Sequence, residues 1–259
     1  MIAVKEGVGP EFVLLMLFVV SLLYFLGQAR KGVHFKIRKI AGLDAVNEAI
    51  GRATEMGRSI LYSTGLEVAS HIATIASLTI LSRVARRAAR YGTRLQVPSF
   101  DPVVMTLAQE MVRDSFLQEG RIEEFSPTDI FYLSGEQFAY TAAVEGIMVR
   151  EKPSTVFLMG YFYAESLLLA ETGNAIGAIQ IAGSDAVTQL PFFIVSCDYT
   201  LIGEELYAAS AYLSGDPIIM SSLKAQDMSK AVIWVLMIVG GVAAFAGSPF
   251  FLAWMGGIS

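Results

Sequence analysis

Apolar positions fall into two regimes along this chain. From Phe12 to Ala29 no charged residue interrupts a run dominated by Val, Leu, Phe, Met and Tyr, and from Ala231 to Ser259 no charge occurs at all. Between these ends the apolar residues come in short blocks, separated by glycine, serine, proline and charged positions. At 1.5 Å per residue, about 18 helical residues reach roughly 27 Å, close to the thickness of a bilayer's hydrocarbon core. The pattern therefore predicts a transmembrane helix over 12–29 and a second over 231–256, with 1–11 as a short external tail. A cleaved leader would need a basic start and a shorter apolar core. Here Lys5 and Glu6 cancel, and Arg30 and Lys31 follow the core directly. Trp234 and Trp254 lie towards the two ends of the second segment, as interfacial anchors do, and Pro249 is expected to kink or end that helix.

Short-range charge orients both segments. Arg30, Lys31, Lys36, Arg38 and Lys39 follow the first with no acid among them, and Lys224 and Lys230 precede the second. The positive-inside tendency then puts residues 30–228 in the cytoplasm and both termini outside the cell (inner) membrane.

The middle of the chain alternates helical patterns with brief apolar runs. Helices are expected over Leu43–Met56, Glu67–Tyr91, about Asp101–Glu119, Phe138–Arg150, Tyr163–Thr172 and Gly203–Leu213. Strands are expected over Arg58–Tyr62, Leu95–Val97 (stopped by Pro98), Asp129–Leu133, Thr155–Met159, Ala178–Ile181 and Phe192–Val195. The strands read as continuous apolar runs rather than alternating ones, the mark of strands covered on both faces. With helices as crossovers, the predicted fold is α/β: a Rossmann-like, mostly parallel sheet flanked by helices. A flattened helical domain is the competing reading.

Composition narrows the class. The 259 residues are 54% hydrophobic and 17% charged, against roughly 25% charged in a typical soluble domain. Nineteen basic and 24 acidic residues give a net charge of -5, which does not describe a nucleic-acid-coating protein. One cysteine excludes an intrachain disulfide framework and an all-cysteine zinc site, and two histidines leave little for a structural metal centre. No metal site is expected, and no cofactor is implied. The G-x-G-x-x-G, P-loop, H-E-x-x-H and G-x-S-x-G motifs are missing.

Parallel sheets bind ligands beyond the carboxyl ends of their strands. At the expected strand ends the chain repeats a theme of glycine, hydroxyl and carboxylate: Gly65 with Glu67, Gly135 with Glu136, Gly160 with Glu165 farther on, Gly183-Ser184-Asp185, and Asp198 after Ser196-Cys197. Gly65, Glu67, Gly135, Glu136, Gly160, Gly183, Ser184, Asp185 and Asp198 are thus the candidate ligand-binding residues. The simpler reading is that such turns need glycine and that acids favour a helix's first turn. Asp185, Asp198, Glu204 and Glu205 could in principle gather around a divalent ion, though spacing does not show that they meet. Cys197 reads as a small buried hydrophobe and His71 as a core histidine, with a Cys197–His71 pair left open. Arg83, Arg86, Arg87 and Arg90 form the densest basic cluster, a candidate contact for anionic lipid or a protein partner, or else a solvated face.

Leu43-Asp44-Ala45-Val46-Asn47-Glu48-Ala49, the Gly57–Gly65 stretch, Ser99-Phe100-Asp101-Pro102-Val103 and Ile181-Ala182-Gly183-Ser184-Asp185 resemble an uncharacterised prokaryotic membrane-protein family carrying a domain of unknown function. The likeness covers about residues 30 to 230. It implies that the domain and its two anchors travel together, and it supplies no reaction, cofactor or partner. The expected function is a membrane-anchored scaffold or assembly protein, a homo-oligomer or a subunit of a membrane complex, with the bilayer as one partner and nucleic acid not among them. Gly240, Gly241, Ala243, Ala244, Ala246 and Gly247 offer close helix packing in that role. The alternative is a cytoplasmic-face enzyme or small-ligand sensor with its site at the strand ends.

Overall fold

The computed structural model describes residues 9–31 and 41–245. Expectations for Lys36, Arg38, Lys39, His34, Ala246, Gly247, Pro249, Trp254 and the tail 1–8 lie outside the described residues. In chain order the elements are α1 (Gly9–Arg30), α2 (Ala41–Met56), β1 (Ile60–Ser63), α3 (Ile72–Tyr91), β2 (Leu95–Ser99), α4 (Pro102–Gln118), β3 (Ile130–Tyr132), α5 (Gln137–Glu151), β4 (Thr155–Met159), α6 (Glu165–Ala175), β5 (Ile179–Ser184), α7 (Leu190–Ser196), β6 (Tyr199–Ile202), α8 (Glu204–Ser214) and α9 (Pro217–Phe245). Two short 3-10 turns, Ile122–Glu124 and Pro127–Asp129, lead into β3. The described residues divide into two compact units: the α/β body, and the two end helices.

In the α/β body all six strands run parallel in the order β3-β2-β1-β4-β5-β6. This is the doubly wound, Rossmann-like order, whose winding reverses between β1 and β4. Ile60 to Ser63 of β1 stand level with Thr155 to Leu158 of β4. Both strands are buried along their whole length, which explains why they are apolar at consecutive positions. One face carries Ile60, Tyr62, Phe157 and Met159 against α3, α4, α8 and α2; the other carries Leu61, Val156 and Leu158 against residues of α5, α6 and α7.

Local chemistry sets the helix ends. His71 caps α3 by accepting the Ala73 N–H at 3.3 Å, and Gly92 closes it at φ 68°. Asp101 accepts the Val103 and Val104 N–H groups at 2.9 Å each, with Pro102 in the first turn of α4. α2 lies across the amino ends of the strands: the Ala49 carbonyl accepts from Thr155 Oγ1 at 3.1 Å, and Thr54 Oγ1 lies 2.8 Å from Thr93 Oγ1.

Four expectations are corrected. Phe192–Val195 is not a strand but part of helix α7, because Pro191 starts a helix and Leu190 and Phe193 bury one side of a single turn. The sixth strand is instead β6, four residues later. Pro98 does not stop β2, which pairs with β1 only at Leu95 and Gln96 and with β3 from Val97 to Ser99. Its missing N–H thus falls beyond the stretch shared with β1. Finally, Glu67–His71 is a turn ahead of α3, and α6 runs on through Gly173 to Ala175 rather than ending at Thr172.

In the second unit α1 and α9 pack against each other. Among its described residues the buried positions are small: Ala29, Ser221, Ala225 and Gly240. Their large apolar side chains are exposed, Leu23 at 61%, Trp234 at 65% and Val242 at 65%. Both helices are long and apolar enough to cross a membrane. α9 already begins at Pro217, and its charged residues Lys224, Asp227 and Lys230 precede the uncharged stretch.

Candidate functional site

The point where the winding reverses is where an open α/β sheet offers its ligand crevice. Here that crevice is filled by main chain. Gly65 (φ 85°) and Gly160 (φ 134°) lie back to back at the carboxyl ends of β1 and β4. A side chain on Gly160 would put Cβ 2.2 Å from the Thr64 carbonyl oxygen, and one on Gly65 would put Cβ 2.6 Å from the Tyr161 carbonyl oxygen. The Leu66 N–H donates to that Tyr161 carbonyl at 2.9 Å, tying the two loops together. Both glycines act by letting two backbones touch.

This contact gathers side chains above it. Glu67, three residues beyond Thr64, accepts a short hydrogen bond from the Tyr163 hydroxyl. Tyr161 packs edge-to-face against His71 (centroids 5.1 Å apart, planes at 65°) and against Tyr163 (5.1 Å, 68°). Beneath them Glu165, wholly buried, accepts from the Tyr163 N–H at 2.8 Å and from Gln137 Nε2 at 2.6 Å. The Glu67 hydrogen bond, then partial burial, pushes the Tyr163 phenol up to about 12, because the bond favours the protonated form and the carboxylate repels the phenolate. His71 is half-buried and caps a helix, so it is not the core residue expected.

The remaining candidates scatter around the same edge of the sheet, with one exception. Glu136, after Gly135, accepts the Ala139 N–H at 2.9 Å and so caps α5. Gly183 ends its role in packing: a Cβ there would lie 2.8 Å from Met159 Sδ. Ser184 Oγ accepts the Ala186 N–H at 3.2 Å. Asp185 accepts from the Tyr207 hydroxyl, while its Oδ1 is buried with no partner. Burial first, then this hydrogen bond, pushes the Tyr207 phenol up.

Asp198 is the exception. It precedes β6, so it sits at the amino end of the sheet, where its carboxylate accepts the Gln180 N–H at 2.8 Å. It cannot join Asp185, Glu204 and Glu205 around one ion. Among the described residues no group of three or more His, Cys, Asp or Glu is placed to hold a metal. Cys197 adjoins Asp198 at that same end, while His71 stands at the carboxyl end, so the two do not pair. Burial, then Asp198, pushes the Cys197 thiol up to about 12. Two shallow cavities also open at the amino end, one of about 210 Å³ beside Glu48, Arg52 and Asp198, the other of about 480 Å³ beside Arg58, Arg94 and Glu151.

On the outer side of α3, Arg83, Arg86 and Arg87 are half-buried and Arg90 is exposed. Arg90 makes two 3.0 Å bonds to Glu119. Burial, then repulsion from Arg87, Arg86 and Arg90, lowers the Arg83 pKa, and Arg86 Nε is buried without a partner.

A family model described as a domain of unknown function (DUF6754) matches residues 5–254, nearly the whole chain. No curated protein and no solved structure matches it.

Proposed function

The chain belongs to the DUF6754 family, and from that premise we propose that it is a membrane-anchored assembly protein whose α/β body docks on a second copy of itself. The observation that carries this reading is the margin of the body formed by α7 and the edge strand β6. Val187 is 77% exposed and Val195 85%, with Ile194, Tyr199 and Ile202 also open to solvent. Residues 186–203 hold a single charge, Asp198, and its carboxylate is taken up by the Gln180 N–H. Monomeric soluble surfaces rarely leave such side chains uncovered together. A two-fold interface sets the same surface against itself, so a margin with one charge in 18 residues meets its copy with little repulsion. The four-arginine cluster on α3 lacks that property.

The opposite edge of the sheet is treated differently. There Gln109 Nε2 caps the Ile130 carbonyl at 2.9 Å, the kind of protection expected of an edge that stays unpaired. The two apolar helices confine copies to a plane and so raise their effective concentration. Arg30, Lys31, Lys36, Arg38 and Lys39 follow the uncharged stretch of α1, and Lys224 and Lys230 precede that of α9; the body accordingly stands in the cytoplasm. The filled crevice at the β1–β4 switch favours assembly over a dinucleotide enzyme.

The test is the particle mass of the full chain in a gentle detergent. The wild type should run as a multiple of 28.0 kDa, and Val195→Glu should shift it towards a single chain. A wild type that runs as one chain overturns the reading, as does a Val195→Glu, Val187→Glu double variant that assembles unchanged.

A further inference from the structure

Glu67, His71, Tyr161 and Tyr163 come from two loops some 90 residues apart, and nothing in the assembly surface on α7 and β6 calls for them. Three rings stand in succession, His71 against Tyr161 against Tyr163, each pair 5.1 Å apart between centroids. Tyr163, the outermost, is 41% exposed. The Glu67 carboxylate borders it and is fixed by the Tyr163 hydroxyl. We propose that this cluster is a recognition site for the ammonium group of a small organic cation, an alkylammonium or quaternary ammonium.

Charge argues for a cation. Among the described residues neither Glu67 nor Glu165 makes an ion pair; the salt bridges lie elsewhere, on Arg52, Arg90, Arg94, Arg113 and Arg121. Glu165 adds a second carboxylate, buried and held by the Tyr163 N–H and Gln137 Nε2. An anion placed here would face the Glu67 carboxylate and the negative faces of aromatic rings, with Glu165 buried beneath them. Cations gain from both, since the ring quadrupole attracts positive charge and does so most strongly where water is partly excluded.

Ring chemistry argues for an organic cation rather than a metal ion. A metal needs several oxygen, nitrogen or sulfur ligands converging on one point, and no such group occurs among the described residues. Methylated ammonium groups instead suit aromatic faces beside one carboxylate. His71 is fixed in this row by its Nδ1, which accepts the Ala73 N–H at 3.3 Å, and by its ring contact with Tyr161.

Backbone geometry sets the size. The floor of the site is the contact between the loops at Gly65 and Gly160, tied by the Leu66–Tyr161 hydrogen bond. No deep slot lies between β1 and β4 for a nucleotide, so the ligand is a headgroup resting on the rim. The shared chemistry, a trimethylammonium group, occurs both on free quaternary ammonium compounds such as choline and on phosphatidylcholine.

The full chain, carrying 13C-labelled tyrosine rings in a non-ionic detergent, tests this by NMR titration with tetramethylammonium chloride. Tetramethylammonium should shift the Tyr161 and Tyr163 ring signals saturably, whereas tert-butanol, a neutral molecule of the same shape, should not. Tyr163→Leu and Glu67→Gln should each weaken binding by about fivefold or more, the order expected for one cation–π face or one bordering carboxylate. Tyr163→Phe keeps the ring and should retain most of the affinity. Choline chloride and dihexanoylphosphatidylcholine then separate a free cation from a lipid headgroup, and saturable binding of either supports the site. The proposal is overturned if tetramethylammonium shifts neither ring, if tert-butanol matches it, or if Glu67→Gln binds as the wild type does. Particle mass plays no part in this readout, so the result stands apart from the assembly reading.

Discussion

Replacing Gly160 with alanine tests the contact on which the strand-end geometry depends. Two costs add. At φ 134° an L side chain occupies a region that glycine alone uses freely, a cost of about 1–3 kcal/mol. Its Cβ would also stand 2.2 Å from the Thr64 carbonyl oxygen and 2.8 Å from the Thr64 carbonyl carbon. Those are main-chain atoms at the end of a buried central strand and cannot rotate aside, so overpacking adds about 1–3 kcal/mol. The sum, centred near 4 kcal/mol, should lower the melting temperature of a body this size by roughly 12 °C, at about 3 °C per kcal/mol. Gly120→Ala is the matched control, for it has φ 70° and nothing within 4 Å of a built Cβ. It carries only the conformational cost, about 1 kcal/mol, and should lose a few degrees. Far-UV circular dichroism melts of the full chain in detergent measure both. If Gly160→Ala melts with Gly120→Ala, the two loops are not in contact as described, and the position of Glu67 beside Tyr163 loses its basis.

Two titrations follow from the same geometry. Glu67→Gln removes the charged acceptor that favours the protonated phenol and repels the phenolate, so Tyr163 should ionise nearer its ordinary value of 10 than the wild type's 12 or so; ring-carbon NMR shifts against pH would show it, and an unchanged midpoint would refute the pairing. Cys197, with its thiol pushed up to about 12, carries about one thiolate per ten thousand at pH 8, so iodoacetamide should label the native chain slowly and the denatured chain quickly, and equal rates would contradict the burial assigned to it.

Much of the α/β body was legible because its strands are buried on both faces. Thr155–Met159, a threonine followed by four apolar residues, reads as a strand and is β4 to the residue. Asp101-Pro102 reads as a helix start, and both residues do what their chemistry suggests there. The correction that matters most for the site falls where one apolar run admits two conformations. Leu190 to Ser196 is short enough to be either strand or a turn of helix, and periodicity does not separate them. That single exchange had a consequence for the site. Once Phe192–Val195 is helix, Asp198 precedes a strand instead of following one, and it moves from the carboxyl end of the sheet to the amino end.

The aromatic cluster was hidden for a different reason. Gly65 and Glu67 stood out as strand-end residues, and Gly160 did too, but Tyr161 and Tyr163 carry no local signal beyond following a glycine. What joins them to Glu67 is contact between two main chains distant in sequence, made possible by the absence of two side chains. His71 reads as a core residue because apolar Val68, Ile72 and Ile75 surround it in sequence, yet all three are exposed. Exposed apolar residues of this kind, like Val187 and Val195, look like core residues in a sequence. They become informative only when the fold shows that nothing among the described residues covers them.

Self-association in the plane of a bilayer is the account's central claim, and counting chains per particle tests it most directly. Full-length protein fused at its amino terminus to a fluorescent protein, reconstituted at low density in liposomes, can be scored by stepwise photobleaching. The account predicts particles of two or more chains, converted to single steps by Val195→Glu. Single steps throughout for the wild type would contradict it.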